Sequence, residues 1–298
     1  MLQAPTLSEK KRSINDMNGT GVLLRIFKDY LFQTAVIVGS ITVFVPLLLI
    51  LGYIVRNGIA AVDWQFLTGP PRPIGEPGGG IANAIIGSAM LIVIASIIAV
   101  PIGIATGIYL SENRSSRAAV IVRMCIDILQ GIPSIVVGII AYAWIVVSSG
   151  TFSALSGGVA LAFIMLPVII RATEETMNMI PDTIREASLA LGVSYTRTVL
   201  KVLVPAGVSG ILTGILLSIA RIAGETAPLL FTSFGNPYMS TDIFKPVDSL
   251  PHIIFNYAIS PYPEWHTKAW GAALVLIVFV LGLNISAKIL TRRWTVRF

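Results

Sequence analysis

The chain has 298 residues, 55% hydrophobic and 12% charged, about half the charged fraction of an ordinary soluble domain. Its mean hydropathy of +0.82 comes from long charge-free runs, which excludes a single water-soluble core. The net charge of +6 sits mainly at the ends of those runs, so it reads as membrane topology and not as a nucleic-acid surface. The lone Cys125 excludes an internal disulfide.

A helix rises about 1.5 Å per residue, so roughly 20 apolar residues cross the hydrocarbon layer. Residues 1–29 carry Lys10, Lys11, Arg12, Arg25 and Lys28 and read as a retained cytoplasmic tail, not a secretory signal. Tyr30 to Val55 is charge-free and predicts span 1. The stretch from Trp64 to Gly80, with its run of prolines and glycines, predicts an outer loop in which helix does not persist. Span 2 is expected from about Ile81 to Leu110. The charge-free run 128–170 would be about 65 Å long as one helix. It therefore predicts a hairpin of spans 3 and 4, broken at Ser148-Ser149-Gly150 and at Ser156-Gly157-Gly158. Span 5 is expected from Val202 to Phe234 and span 6 from Ala269 to Ala287. Between them, residues 233–268 contain five prolines and Trp265 and read as a second outer loop. Either outer loop is an ordinary connection or a landing surface for an external partner.

Lipid offers no hydrogen bonds to the backbone, so the spans are helical. The expected fold is an all-α integral membrane protein with six transmembrane helices. Residues 1–29 form the tail, 30–80 the first span and its outer loop, and 81–298 the core. Most of the 21 lysines and arginines fall before span 1, between spans 2 and 3, between spans 4 and 5, and after span 6. That bias puts both termini in the cytoplasm, as an even number of crossings requires.

Between spans 4 and 5, Pro181 and Asp182 suit a helix start. Ile184, Ala187 and Leu191 share one apolar face. Gly192 allows a positive φ to end that helix, and Ser194 or Thr196 can cap a second. Patterning alone fits either an amphipathic interfacial helix or a knob for a partner's groove. Within span 5, Arg221 and Glu225 are four residues apart on one helix face, with Thr226 beside them. Charges at membrane depth usually mark a substrate path, although a structural ion pair fits equally well. An arginine fork matches phosphate oxygens and cannot be deprotonated. Asp127 is expected to pair with Arg123 along its own helix. Arg171, Glu174 and Glu175 form either an interfacial set or an inner gate. His252 and His266 lack metal-ligand spacing, and no metal or cofactor is expected. No Gly-x-x-x-x-Gly-Lys-Ser/Thr occurs, so ATP phosphates are not cradled by that device, and no catalysis is expected of this chain by itself.

Glu186-Ala187-Ser188, Gly192 and Val202-Leu203-Val204-Pro205 resemble the signature of bacterial ABC-importer permeases. That pattern is E-A-A, three residues, G, nine residues, I-x-L-P. Gly131-Ile-Pro-Ser-Ile-Val-Val-Gly138 and Gly224-Glu-Thr-Ala-Pro-Leu-Leu-Phe-Thr232 look like the phosphate-specific members of that family. The resemblance runs from about Ile81 to the C-terminus. It implies a coupling helix around Glu186, Ala187 and Gly192 that docks on a separate ATPase. It also implies a phosphate path containing Arg221, Glu225 and Thr226. The partners it implies are a sister permease, an ATPase dimer and an external phosphate-binding protein, at the cell inner membrane. The rival readings are a permease for molybdate, sulfate or phosphonate, which uptake competition would reveal, and a secondary transporter, which would copurify without an ATPase. A secondary transporter often shows paired halves, and no internal repeat is evident.

Overall fold

The computed structural model describes residues 19–76 and 78–292. Expectations for the first 18 residues lie outside that range. The chain divides into two units, residues 1–53 and 54–298. Most of helix α1, Gly19–Gly58, belongs to the first. It begins at Gly19 and not at Tyr30, so the expected tail is partly helix. None of the apolar window of this helix is buried, the pattern of a helix solvated by lipid on its sides.

The second unit holds α2 (Trp64–Thr68), α3 (Ala82–Glu112), α4 (Arg117–Gly131), α5 (Ser134–Ala141) and α6 (Ala154–Asn178). After these come α7 (Asp182–Ala190), α8 (Tyr195–Thr198), α9 (Val208–Ile222), α10 (Ala227–Thr232), α11 (Leu250–Ala258) and α12 (Pro263–Arg292). Among the described residues four helices are long and apolar enough to cross a membrane unaided. Two further crossings exist if each of two bent pairs counts as one: Arg117–Gly131 with Ser134–Ser149, at 104°, and Tyr195–Ala206 with Val208–Ile222, at 67°.

Each bend has a chemical cause. Ile132, just before Pro133, is extended (φ −74°, ψ 129°), because proline's ring disfavours the helical region for the residue preceding it. Pro205 has no N–H to give the Lys201 carbonyl, and the preceding turn, Val199–Leu203, widens so that the Val204 N–H reaches the Val199 carbonyl. The chain then kinks at Gly207. The 128–170 hairpin turns at Gly150, with φ +72°, but not at Ser156-Gly157-Gly158. That triplet lies in the first turns of α6, where Ser153 and Ser156 form a reciprocal cap. Its glycines serve packing: a Cβ on Gly158 would collide with Ile94 of α3.

Helices α3 and α6 form the centre of the unit. Ala95, Ala99, Gly103 and Gly107 are buried and recur every fourth residue, the small-residue stripe that lets membrane helices approach closely. A Cβ on Gly103 would lie 2.7 Å from Ile169 Cγ2. Leu91, Leu161, Met165, Ile169, Ile222 and Leu229 complete the core across α3, α6, α9 and α10.

The connections 59–81 and 233–262 are more ordered than their prolines predicted. α2 is capped by the Asp63 carboxylate on the Phe66 N–H at 2.6 Å. α11 starts from a Ser249 cap with Pro251 in its first turn, a position where proline's missing N–H costs nothing. These segments meet the N-terminal end of α3. Asn83 Nδ2 donates to the Asn236 carbonyl at 2.7 Å, and the Leu250 N–H donates to Ser88 Oγ at 2.8 Å. The other end of α3 meets the 113–116 turn and the segment after α6, so the two ends of α3 sort the connections into two sets.

Candidate functional site

The region from Pro181 to Pro205 folds as two arms about a bend. Pro181 precedes α7, Asp182 occupies its first turn, and Gly192 adopts φ +77°, a conformation that favours glycine. Ser194 stands at the start of α8 without a side-chain capping bond. Glu186, Ala187 and Gly192 are exposed, and Leu191 is 84% exposed. The face opposite them is fixed internally: the buried hydroxyls of Ser188 and Thr198 lie 2.9 Å apart and join the two arms.

Arg221 and Glu225 are brought together, with Thr226 next in the chain, but not within one continuous helix. α9 ends at Ile222, so Arg221 lies in its last turn, where a cation complements the exposed carbonyls of the helix end. Glu225 and Thr226 lie in the short link before α10. Arg221 Nε stands 3.9 Å from Glu225 Oε1; the arginine side chain is 50% exposed and the glutamate 19%. Glu225 borders a cleft of about 10 Å³ lined also by Ser88, Ser249 and Pro251. Gly224 has no helix pressed against it; the nearest atom to a Cβ there is the Arg221 carbonyl oxygen, at 3.9 Å. Close approach falls instead to Gly138 of α5, which abuts Pro228. The two-armed elbow and the Arg221 site stand at opposite ends of α9, about 20 Å apart along its axis.

The charges of α4 and of the last turns of α6 pair mainly across the two helices, with one further contact along α6. Arg123 Nε donates to Glu174 Oε1 at 2.6 Å, and its two terminal nitrogens donate to the Leu110 and Arg114 carbonyls at 2.8 and 3.0 Å. Asp127 pairs with Arg171, which also reaches Glu174 at 3.3 Å. The expected Arg123–Asp127 pair is thus replaced, because the buried Glu174 offers a better-desolvated partner than a carboxylate facing outward. At the N-terminal end of α3, His252 Nδ1 meets Asp248 Oδ1 at 2.7 Å, on the wall of a cavity of about 680 Å³ that Tyr238 and Trp265 also line. Burial, with Asp248 nearby, pushes the neighbouring Tyr257 phenol up to about 12. No group of three or more metal-ligating side chains occurs among the described residues.

Sequence reasoning missed Glu112, the last residue of α3. It accepts from Arg185 of α7 at 2.7 Å and from the Tyr195 hydroxyl of α8. Its one signal was position, as the first charge after a long apolar run.

Residues 99–296 match the family described as binding-protein-dependent transport system inner membrane component. The chain is 46% identical over 237 residues to the phosphate transport system permease protein PstA of Yersinia pestis, covering 79% of this chain and 80% of that one. It is 38% identical over 265 residues to the probable phosphate transport system permease protein PstA of Methanocaldococcus jannaschii, covering 88% and 93%. Among solved structures, the MetNI methionine ABC transporter in an inward-facing conformation superposes with a TM-score of 0.59. It has 20% identity and covers 72% of this chain and 96% of that one, a likeness of fold.

Proposed function

The chain belongs to the binding-protein-dependent transport inner-membrane components, and on that premise we propose that it is the permease subunit of an ATP-driven importer of inorganic phosphate. Its relatives supply the substrate class. The structural observation that carries the path is Arg221, an always-charged fork, half exposed at the end of α9 and held by only a long contact to Glu225. A guanidinium so loosely paired is available to phosphate oxygens, while the glutamate keeps the resting site neutral. Thr226 adds a hydroxyl at the same break.

The chain forms half of the translocation path, and a PstC-like sister permease forms the other half. ATP hydrolysis belongs to a separate PstB-like ATPase dimer, which docks on Glu186, Ala187 and Gly192 with Leu191 as the apolar knob. A PstS-like phosphate-binding protein delivers substrate to the outer loops. Both termini lie in the cytoplasm, and residues 81–298 act as the core permease domain. Nucleotide-driven closure of the ATPases moves the elbow, and the spans open alternately to the two sides.

The experiment is Arg221→Gln in the reconstituted importer, with phosphate uptake and ATP hydrolysis followed together. Lost uptake with continuing hydrolysis supports the path. Uptake at the wild-type level removes Arg221 from it. Adding molybdate or sulfate in excess to the wild-type importer leaves uptake unchanged if the substrate is phosphate.

A further inference from the structure

A lever is useful only if its load is fixed to it. α7 and α8 pack against each other through Ser188 and Thr198, but that contact does not join them to the helices that must move. Glu112 makes such a junction. It ends α3, and its side chain is 7% exposed. One oxygen accepts from Arg185 Nη2 at 2.7 Å, and the other accepts from the Tyr195 hydroxyl. Arg185 belongs to α7 and Tyr195 to α8, so a single carboxylate spans the Gly192 bend and holds both arms.

The electrostatics make this junction stiff. Both donors are directional, and one is a cation, so the bonds are of the stronger, charge-assisted kind. Among the described residues Arg185 Nε is buried without a hydrogen-bond partner, and the Glu112 carboxylate balances the guanidinium. Upstream, α3 is seated on α6 through Gly103 and Gly107, which pack closely against Ile169, Ile170 and Thr173. A displacement of the elbow thus has a continuous route: Arg185 and Tyr195 to Glu112, then α3, then α6.

We propose that Glu112 is a positioning residue for transport, coupling the two-armed elbow to the α3–α6 pair so that they move as one body. This rests on the reading of α7 and α8 as the ATPase-facing element. Glu112 touches neither substrate nor nucleotide; it acts through Arg185 and Tyr195.

The test uses the complete importer in proteoliposomes, with its sister permease, ATPase dimer and binding protein. The quantity read is phosphate imported per ATP hydrolysed in the assembled complex. A purely structural role leaves this ratio unchanged, because misfolded copies neither transport nor assemble. Glu112→Ala is expected to lower the ratio roughly tenfold, the scale of one lost charge-assisted bond. Glu112→Gln, which keeps one acceptor oxygen but no charge, falls between, and Tyr195→Phe gives the smallest loss. A wild-type ratio in assembled Glu112→Ala overturns the proposal. If Glu112→Ala fails to assemble, Tyr195→Phe decides, since it removes one hydroxyl from a half-exposed side chain: a wild-type ratio there overturns the proposal equally. Leu191→Asp separates the premise from the inference. If that variant keeps its ATPase and its ratio, the elbow is not the docking element, whatever Glu112 does.

Discussion

Gly138 lies against Pro228 with no room for a side chain: a Cβ on the glycine would stand 2.6 Å from the proline Cα and 3.0 Å from its carbonyl oxygen. These residues belong to the two sequence strings that most sharply resemble the phosphate-specific permeases, and in the fold the strings are neighbours. Their pairing seats α5 on α10, and α10 follows directly from the break that holds Glu225 and Thr226. The geometry of the Arg221 site is therefore set partly by a contact made outside it.

That contact makes the first prediction. The atoms facing Gly138 are backbone, which cannot rotate away, so Gly138→Ala must push α5 from α10. Overpacking of this kind costs about 1–3 kcal/mol. A lowered thermal midpoint in detergent, together with reduced phosphate uptake, is the expected outcome. Gly131, in the same string, has no neighbouring atom within 4 Å of where a Cβ would stand, and Gly131→Ala should leave both measurements near wild type. Equal effects from the two substitutions would show that the Pro228 contact is not what matters.

A second prediction separates transport from stability at Arg221. The pair with Glu225 is long, and the arginine is half exposed. Ion pairs of that kind contribute about 0–1 kcal/mol after solvent screening. Arg221→Gln and Glu225→Gln should therefore unfold within a few degrees of wild type while changing uptake. Arg221→Gln removes the anion's partner and lowers uptake. Glu225→Gln removes the anion's competitor for that partner, and is expected to bind phosphate more readily and release it more slowly. Matched losses of stability and uptake in both variants would return the pair to a purely structural role.

The sequence made some features legible and hid others for physical reasons. The spans were visible because lipid demands uninterrupted apolar runs: α3 begins one residue from its expected start. The elbow was visible because Pro181, Asp182 and Gly192 are local signals whose effect does not depend on distant packing. The breaks inside spans were harder to see. Val202 to Phe234 reads as one helix, yet it kinks at Gly207 and stops at Ile222. Ser156-Gly157-Gly158 reads as a turn but packs against α3, because a glycine's local tolerance and its value in close packing leave the same letter. Partnerships across helices were hidden altogether. Arg123 with Glu174, and Glu112 with Arg185, depend on which helix faces meet, and a 3.6-residue period identifies a face without naming its neighbour.

The cross-helix pairs supply a third prediction. Glu174 is 5% exposed and accepts from both Arg123 and Arg171. Truncating it leaves the Arg123 guanidinium partly buried beside the Leu110 and Arg114 carbonyls without its counter-charge, and removal of one partner of a buried pair costs about 3–5 kcal/mol. Asp127, with its side chain 59% exposed, loses no more than about 1 kcal/mol on becoming asparagine. Glu174→Ala should thus unfold or fail to accumulate in the membrane where Asp127→Asn does not. Chemical unfolding of purified protein, compared between the two, is the measurement.

The last prediction concerns Leu191. At 84% exposure it contributes almost nothing to the fold of this chain, and substitutions at such positions usually change stability by less than about 0.5 kcal/mol. An apolar side chain held at the apex of an elbow whose two arms are braced by Ser188 and Thr198 is the arrangement expected of an anchor for a partner's pocket. Leu191→Asp places a charge where that pocket is apolar, and the complex must then bury it unpaired or separate. The variant is expected to reach the membrane in normal amount, unfold at the wild-type temperature and lose its ATPase subunit during purification. Leu191→Met, which preserves volume and hydrophobicity, should retain the subunit. Retention of a stoichiometric ATPase by Leu191→Asp would mean that the elbow is not the docking element, and that the exposed leucine faces lipid headgroups instead.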